Sequence, residues 1–143
     1  MTHINKTALV PYSSEQMYTL VNNVSDYPLF LPWCKTVTIH SSSASEIIAT
    51  IAMGKMGLDK SFTTINNLVE NQRINMTLKE GPFSQLEGYW EFQSLGDLGC
   101  KISLHLEFEI SNHLLRLSLG PVFTKIITTL MDSFIQRANK VYG

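Results

Sequence analysis

Three polar side chains at every second position of one segment are the strongest candidates for chemistry in this sequence. His105, Glu107 and Glu109 alternate with apolar residues between 102 and 110, so in a β-strand they would share one face. A histidine beside carboxylates can hold a metal ion or act as an acid–base pair, and Tyr89 is a further candidate for such a site. The alternative is that this face points to solvent, because the opposite face is continuously apolar. Catalysis would require the polar face to point inward.

No other pattern in the chain indicates a catalytic or metal site. The sequence has no GxSxG, P-loop, HExxH or CxxC pattern, and no GxGxxG follows a strand. The four histidines fall on separate segments, and Cys34 and Cys100 are far apart. We therefore predict a protein that is not an enzyme, with no metal, no cofactor and two free thiols, which is typical of the cytosol.

The location predicted from the sequence is cytoplasmic, with peripheral contact at the inner face of the membrane as an extension. The N-terminal sequence MTHINKTALVPYSS has neither the basic nor the apolar region of a signal peptide. We also expect no membrane-spanning segment, because no run of roughly 18 uncharged apolar residues is present.

Charge is unevenly distributed along the chain. The net charge of the whole chain is −1, which argues against general binding of DNA or RNA through phosphates. Residues 112–143 carry four basic side chains and one acidic side chain, a net charge of +3, which leaves −4 for residues 1–111. This basic segment fits contact with anionic lipid or an RNA backbone, and equally a helix face in solvent. The four basic residues are Arg116, Lys125, Arg137 and Lys140.

The spacing of apolar residues predicts the order of the elements. A first strand over 3–10 is followed by a helix with Ser13 as N-cap, and by a short second helix capped at Asp26 that ends before Pro32. Alternation then predicts six strands, at 35–40, 46–56, 59–70, 73–79, 84–93 and 101–110.

Helical spacing returns after residue 112 and predicts one long amphipathic helix, with a kink or a fresh start at Gly120-Pro121. The predicted fold is α+β, a curved antiparallel sheet of about seven strands wrapped around this single C-terminal helix. One domain spans residues 1–143.

The apolar side chains on the predicted inner faces would form either an ordinary core or a cavity for an apolar ligand, since methionine and phenylalanine suit both. The segment 27–34 (YPLFLPWC) is too apolar for a solvated loop, so it either plugs the end of the sheet or lines the mouth of a pocket. The candidate ligand-binding residues are Tyr27, Pro28, Phe30, Leu31, Trp33, Met53, Phe62, Met76, Trp90, Phe108, Phe123, Ile127, Met131 and Phe134.

Residues 10–34, VPYSSEQMYTLVNNVSDYPLFLPWC, resemble the N-terminal signature of the coenzyme Q-binding START-domain family, part of the polyketide cyclase/START-like group. Within that family the match is to the bacterial ribosome association toxin branch, RatA. Four later blocks match in the same order, so the resemblance covers nearly the whole chain. They are FTTINNL (62–68), LKEGPFSQLEGYWEF (78–92), LHLEFEISN (104–112) and LGPVFTKIITTLMDSFIQRANKVYG (119–143).

This resemblance implies a START-like helix-grip fold with a hydrophobic tunnel, a bound ubiquinone or similar isoprenoid lipid, and a role in respiration. For the ribosome association branch it implies instead binding to the large ribosomal subunit, which blocks subunit association. It places the block from Tyr27 to Trp33 nearest the ligand, and Trp33 stands where many relatives have a smaller residue, which would narrow the tunnel. The family has no catalytic residues to transfer, although cyclases and aromatases are known on related folds.

Overall fold

Alternating apolar and polar residues produce one antiparallel sheet in the computed structural model, which describes residues 1–54 and 59–143. The predicted end of the second of the six strands, at Met56, lies outside the described residues. The strands are β1 (Thr2–Val10), β2 (Cys34–Ser42), β3 (Glu46–Met53), β4 (Lys60–Val69), β5 (Arg73–Glu80), β6 (Phe83–Ser94) and β7 (Cys100–Ile110). The helices are α1 (Ser14–Asn22) and α2 (His113–Tyr142), with short 3-10 helices at Val24–Leu29 and Gly96–Leu98.

The sheet has the strand order β1-β7-β6-β5-β4-β3-β2, and every neighbouring pair is antiparallel. The first strand therefore pairs with the last, with Thr2 opposite Phe108 and Val10 opposite Cys100. Strictly alternating burial along β7 puts one face against the core and the other toward solvent. The predicted curved α+β architecture of seven strands is confirmed.

Gly88 allows β6 and β7 to approach closely where the sheet curves. A Cβ atom at this position would lie 2.0 Å from the backbone oxygen of His105 and 2.9 Å from the Cα atom of Leu106. Real side chains do not tolerate such distances from backbone atoms, so a larger residue would force the two strands apart.

The start of α1 agrees with the sequence prediction, whereas the start of the short helix that follows it does not. At α1 the predicted capping box is present, since the Gln16 amide donates to Ser13 Oγ at 3.0 Å and the Ser13 amide donates to Gln16 Oε1 at 2.9 Å. The short second helix begins earlier than predicted, at Val24. Asp26 lies inside it and accepts a hydrogen bond from the Asn23 side chain at 2.9 Å, and Pro28 lies near its end. A 3-10 helix is too short for the expected proline-first pattern to set its start.

α2 is continuous from His113 to Tyr142, so the fresh start predicted as one alternative at Gly120-Pro121 does not occur, and the other alternative, a kink, stays a prediction. Asn112 caps the helix by accepting from the Leu115 amide at 2.8 Å. Pro121 removes one backbone hydrogen bond, but Leu119 and Phe123 on either side of it are buried and hold both turns against the sheet.

The core lies between the inner face of the sheet and the apolar side of α2, while α1 covers the inner face at β6 and β7. The buried side chains of α2 are Leu119, Phe123, Ile126, Ile127, Met131, Phe134 and Ala138. Among the described residues only α2 is long and apolar enough to cross a membrane by length and composition, which the sequence analysis did not anticipate. Core helices of soluble proteins pass the same test, and this helix packs under the sheet.

Candidate functional site

An apolar cavity of about 80 Å³ lies between the inner face of the sheet and α2. The described part of its wall carries no charged side chain, and only Thr64 and Asn66 are polar aliphatic residues. The wall consists of Val24, Tyr27, Trp33, Ile51, Phe62, Thr64, Asn66, Met76, Leu86, Trp90, Leu104, Leu106, Phe123, Ile127, Leu130 and Phe134.

The structure brings together part of the predicted ligand-binding set at this cavity. Eight of the predicted residues lie in the wall, namely Tyr27, Trp33, Phe62, Met76, Trp90, Phe123, Ile127 and Phe134. Leu31, Met53, Phe108 and Met131 are at most 4% exposed and belong to the surrounding core. Pro28 and Phe30 are half-buried outside the wall. That any of these residues contacts a ligand stays a prediction.

Several wall residues were not predicted. Ile51, Leu104 and Leu106 lie on the buried side of clearly alternating strands, so their inward orientation could have been read from the sequence. Thr64 and Asn66 had no such signal, because β4 is rich in threonine and asparagine on both of its faces.

The segment from Tyr27 to Trp33 forms part of the cavity wall. The Tyr27 hydroxyl donates to the backbone oxygen of Val21, and the rings of Tyr27, Phe30 and Phe134 meet edge to face at centroid distances of 5.3 to 6.1 Å. Trp33 is only 8% exposed. Its indole therefore lines the interior.

The ionisable groups near the cavity are held neutral. Burial raises the pKa of the Tyr27 phenol, and the neighbouring Cys34 raises it further. Burial also raises the pKa of the Cys34 thiol to about 11, and it raises the pKa of Cys100. Both thiols are free, as predicted, and the structure also buries them, so at neutral pH they are protonated and are poor nucleophiles.

Thr64 and Asn66 form an isolated polar pair on the inner face of β4. Thr64 Oγ1 donates to Asn66 Oδ1 at 3.1 Å, and both residues are 8% exposed. In the strands on either side, Ile47 and Met76 flank Asn66. Ala49 and Leu78 flank Thr64 in the same way, so among the described residues the strand partners of this pair are apolar.

The candidate acid–base residues lie on the opposite face of the sheet. His105 Nδ1 is 2.6 Å from Asn5 Oδ1, and His105 Nε2 is 3.2 Å from Glu107 Oε1. His105 also stacks on Tyr89 at 5.4 Å, and Glu109 points outward in the same row. These residues are therefore outside the cavity, which removes the inward arrangement that catalysis would need. No group of three or more metal-binding side chains occurs in the part of the chain that the structure describes.

The four basic residues of the C-terminal segment do not form one stripe. At 100° per residue, Arg116 and Lys125 lie about 180° apart around α2. Arg137 is half-buried, with its Nε buried and unpaired among the described residues and its guanidinium 5.1 Å from the Phe30 ring. We infer that Arg137 helps hold the 3-10 segment against α2, and that Arg116, Lys125 and Lys140 are the exposed charges.

Comparison with known proteins gives the same fold and a consistent set of relatives. A family model described as polyketide cyclase / dehydrase and lipid transport matches residues 10–135. The chain is 45% identical over 143 residues to the protein named ribosome association toxin RatA of Escherichia coli K12, covering all of this chain and 90% of that one. It is 43% identical over 142 residues to the protein of the same name from Pseudomonas aeruginosa, covering 99% of each.

A more distant relative is the mitochondrial coenzyme Q-binding protein COQ10 of Drosophila melanogaster, at 29% identity over 96% of this chain and 59% of that protein. Among solved structures, the Zhui aromatase/cyclase of Streptomyces sp. R1128 has a TM-score of 0.85 at 15% identity, covering 97% of this chain and 94% of that one. A START superfamily protein of Mycobacterium smegmatis has a TM-score of 0.80 at 19% identity, covering 97% and 98%. At these identities the two structures show the shared fold alone.

Proposed function

We propose that this protein, which belongs to the polyketide cyclase / dehydrase and lipid transport family, associates with the ribosome and acts in the cytoplasm. The observation that carries this proposal is identity of 43% and 45% across essentially the full chain to two proteins named for ribosome association. The likeness to the coenzyme Q-binding relative is weaker, at 29% identity. The partner that follows from the resemblance is the large ribosomal subunit, and the effect is a block of subunit joining.

A sucrose-gradient profile of cells that overexpress the protein tests this proposal. We expect free subunits to increase at the expense of joined ribosomes, the protein to sediment with the large subunit, and growth to slow. Unchanged subunit joining, with the protein remaining at the top of the gradient, would contradict it.

The exposed basic residues of α2 provide a second test of the same proposal. Replacing Arg116, Lys125 and Lys140 by glutamate should weaken sedimentation with the subunit and reduce its dependence on salt, because contacts to RNA phosphates release counterions. The matched control replaces three other exposed lysines by glutamate. These are Lys6, Lys60 and Lys79, which lie in the sheet. Loss of association in the control alone would place the contact on the sheet and exclude these three residues of α2 as the contact.

We propose, second, that the cavity binds a neutral apolar molecule such as ubiquinone or another isoprenoid lipid, without catalysing a reaction. An apolar wall without a charged side chain among the described residues supports this. The cavity of about 80 Å³ is smaller than the roughly 300–1,000 Å³ of typical ligand pockets, so it encloses a ring-sized group only. A longer tail requires α2 or the Tyr27–Trp33 segment to move, while each buried CH₂ group contributes about 0.8 kcal/mol.

Mass spectrometry of the protein purified under native conditions tests ligand binding. A co-purified quinone, or saturable binding of an added short-chain quinone, is the expected result. Failure to detect either would reject this second function without affecting the proposal for the ribosome.

A further inference from the structure

The polar pair in the cavity wall stands out because everything around it is apolar. Asn66 and Thr64 are each only 8% exposed, so more than nine-tenths of each residue is buried. The residues opposite them in β3 are Ile47 and Ala49. In β5 the residue opposite Asn66 is Met76. An amide on such a surface costs about 1–3 kcal/mol unless its donors and acceptors are paired.

The hydrogen bond between Thr64 and Asn66 does not use the NH₂ group of the Asn66 carboxamide. The Asn66 carboxamide oxygen accepts the Thr64 hydroxyl at 3.1 Å, which orients the carboxamide and leaves its NH₂ group available. Among the described residues no protein acceptor is hydrogen-bonded to Asn66 Nδ2, and the residue lines the cavity. The Asn66 carboxamide therefore presents a pair of N–H donors to the cavity, whose wall also contains the indole groups of Trp33 and Trp90.

This arrangement selects among classes of apolar ligand. A hydrocarbon would leave the amide unpaired, whereas a carboxylate would have to lose its hydration in a wall without a cationic side chain among the described residues. A neutral ring that carries a carbonyl or ether oxygen satisfies the donors and fills the apolar space. We propose that Asn66, oriented by Thr64, donates a hydrogen bond to an acceptor oxygen on the head group of the ligand.

This inference rests on the second proposed function, ligand binding in the cavity. It assigns Asn66 as a residue that determines specificity, and Thr64 as its positioning residue. The expected preference is for carbonyl-bearing rings over hydrocarbon analogues of the same shape.

The test measures binding of two probes to the purified full chain, a decyl-substituted benzoquinone and decylbenzene. Both tryptophans of the chain, Trp33 and Trp90, line the cavity, so quenching of their fluorescence reports quinone binding, and competition reports decylbenzene. Asn66→Leu removes the donors and keeps the number and branching of the side-chain heavy atoms. Asn67→Leu is the matched control, because Asn67 is the next residue on the strand and is exposed.

We expect Asn66→Leu to weaken quinone binding about 3- to 10-fold, which corresponds to one lost neutral hydrogen bond, and to leave decylbenzene binding unchanged or tighter. Thr64→Val should weaken quinone binding by a smaller factor, because it removes the hydroxyl that orients Asn66. If Asn66→Leu does not fold, this variant still tests the inference. Asn67→Leu should have no effect.

Equal affinity of the wild type for both probes, unaltered by Asn66→Leu and Thr64→Val, would overturn this inference while leaving ligand binding intact. Tighter binding of the corresponding hydroquinone than of the quinone would also overturn it, because the site would then accept and not donate. No binding of either probe by the wild type would overturn both the inference and the ligand-binding function.

Discussion

Removing the polar pair of β4 should stabilise the protein in the absence of ligand. In the double variant Thr64→Val/Asn66→Leu both polar side chains are replaced by apolar side chains with the same number and branching of heavy atoms. The variant loses one hydrogen bond, of 3.1 Å, between two residues that are each 8% exposed. That bond contributes about 0.5–1.5 kcal/mol net, whereas the amide donors of Asn66, which face the cavity without a hydrogen-bonded protein acceptor among the described residues, cost at most about 1–3 kcal/mol.

The balance of the two central values predicts a gain of about 1 kcal/mol in the free energy of unfolding, with the apolar neighbours Ile47 and Met76 accepting the new side chains. For a domain of this size we expect the melting temperature to rise by about 3–4 °C per kcal/mol. Urea denaturation of the ligand-free protein, followed by circular dichroism, measures the free energy directly. The exposed Asn67→Leu control should change it by less than about 0.5 kcal/mol.

A loss of more than 1 kcal/mol in the double variant would refute this reasoning. Such a loss would mean that the amide of Asn66 is fully paired in the free protein and that the pair serves stability. A gain in stability combined with weaker quinone binding would instead be the pattern of a residue kept for function at the expense of stability.

Phe123→Ala should lower the free energy of unfolding by about 3–5 kcal/mol, because the ring is 1% exposed and packs against three other phenylalanines. Urea denaturation measures this change. The control is Leu117→Ala at an exposed position, which should change the free energy of unfolding little. Gly88→Ala should abolish soluble expression or lower the melting temperature sharply, since the added Cβ would lie 2.0 Å from a backbone oxygen of β7; normal stability would show that the strands can separate there. Cys34 and Cys100 should react with iodoacetamide much more slowly in the folded protein than in urea at pH 8, because burial raises the pKa of both thiols; equal rates would contradict their burial. Raising the pH through the range from 9 to about 11 should reduce the free energy of unfolding, because the Cys34 thiol ionises first in the unfolded chain, and Cys34→Ala should reduce this dependence.

The strands were predictable from the sequence where apolar and polar residues alternate clearly, so that the two faces of the strand differ in polarity. Along β7 every second residue is apolar, and the structure buries exactly those positions on one face. The same alternation indicated that His105 and Glu107 share the other face of β7. Which face points inward is decided by α2, which covers the apolar face. The capping box of α1 was equally readable, because Ser13 and Gln16 act within one helical turn.

Predictions failed where distant contacts outweighed local preference. Local proline chemistry predicted a kink or a fresh start at Gly120-Pro121, and the fresh start does not occur because burial of Leu119 and Phe123 beneath the sheet keeps α2 continuous. Charge counting also could not show that the Arg137 guanidinium lies over the ring of Phe30, a residue more than 100 positions away in the chain, and whether Arg137 contacts RNA or a membrane stays a prediction.

By itself the sequence determined the α+β order of elements, the apolar face of each clear strand and the long C-terminal helix, because these depend on periodicity along the chain. Only the tertiary structure decided what the inner wall looks like. The inward orientation of Thr64 and Asn66 depends on the registers of β3 and β5 on either side, and the cavity beside them exists only where α2 and the sheet do not fill the space between them. Both depend on residues far apart in the chain, which a pattern along one strand cannot contain.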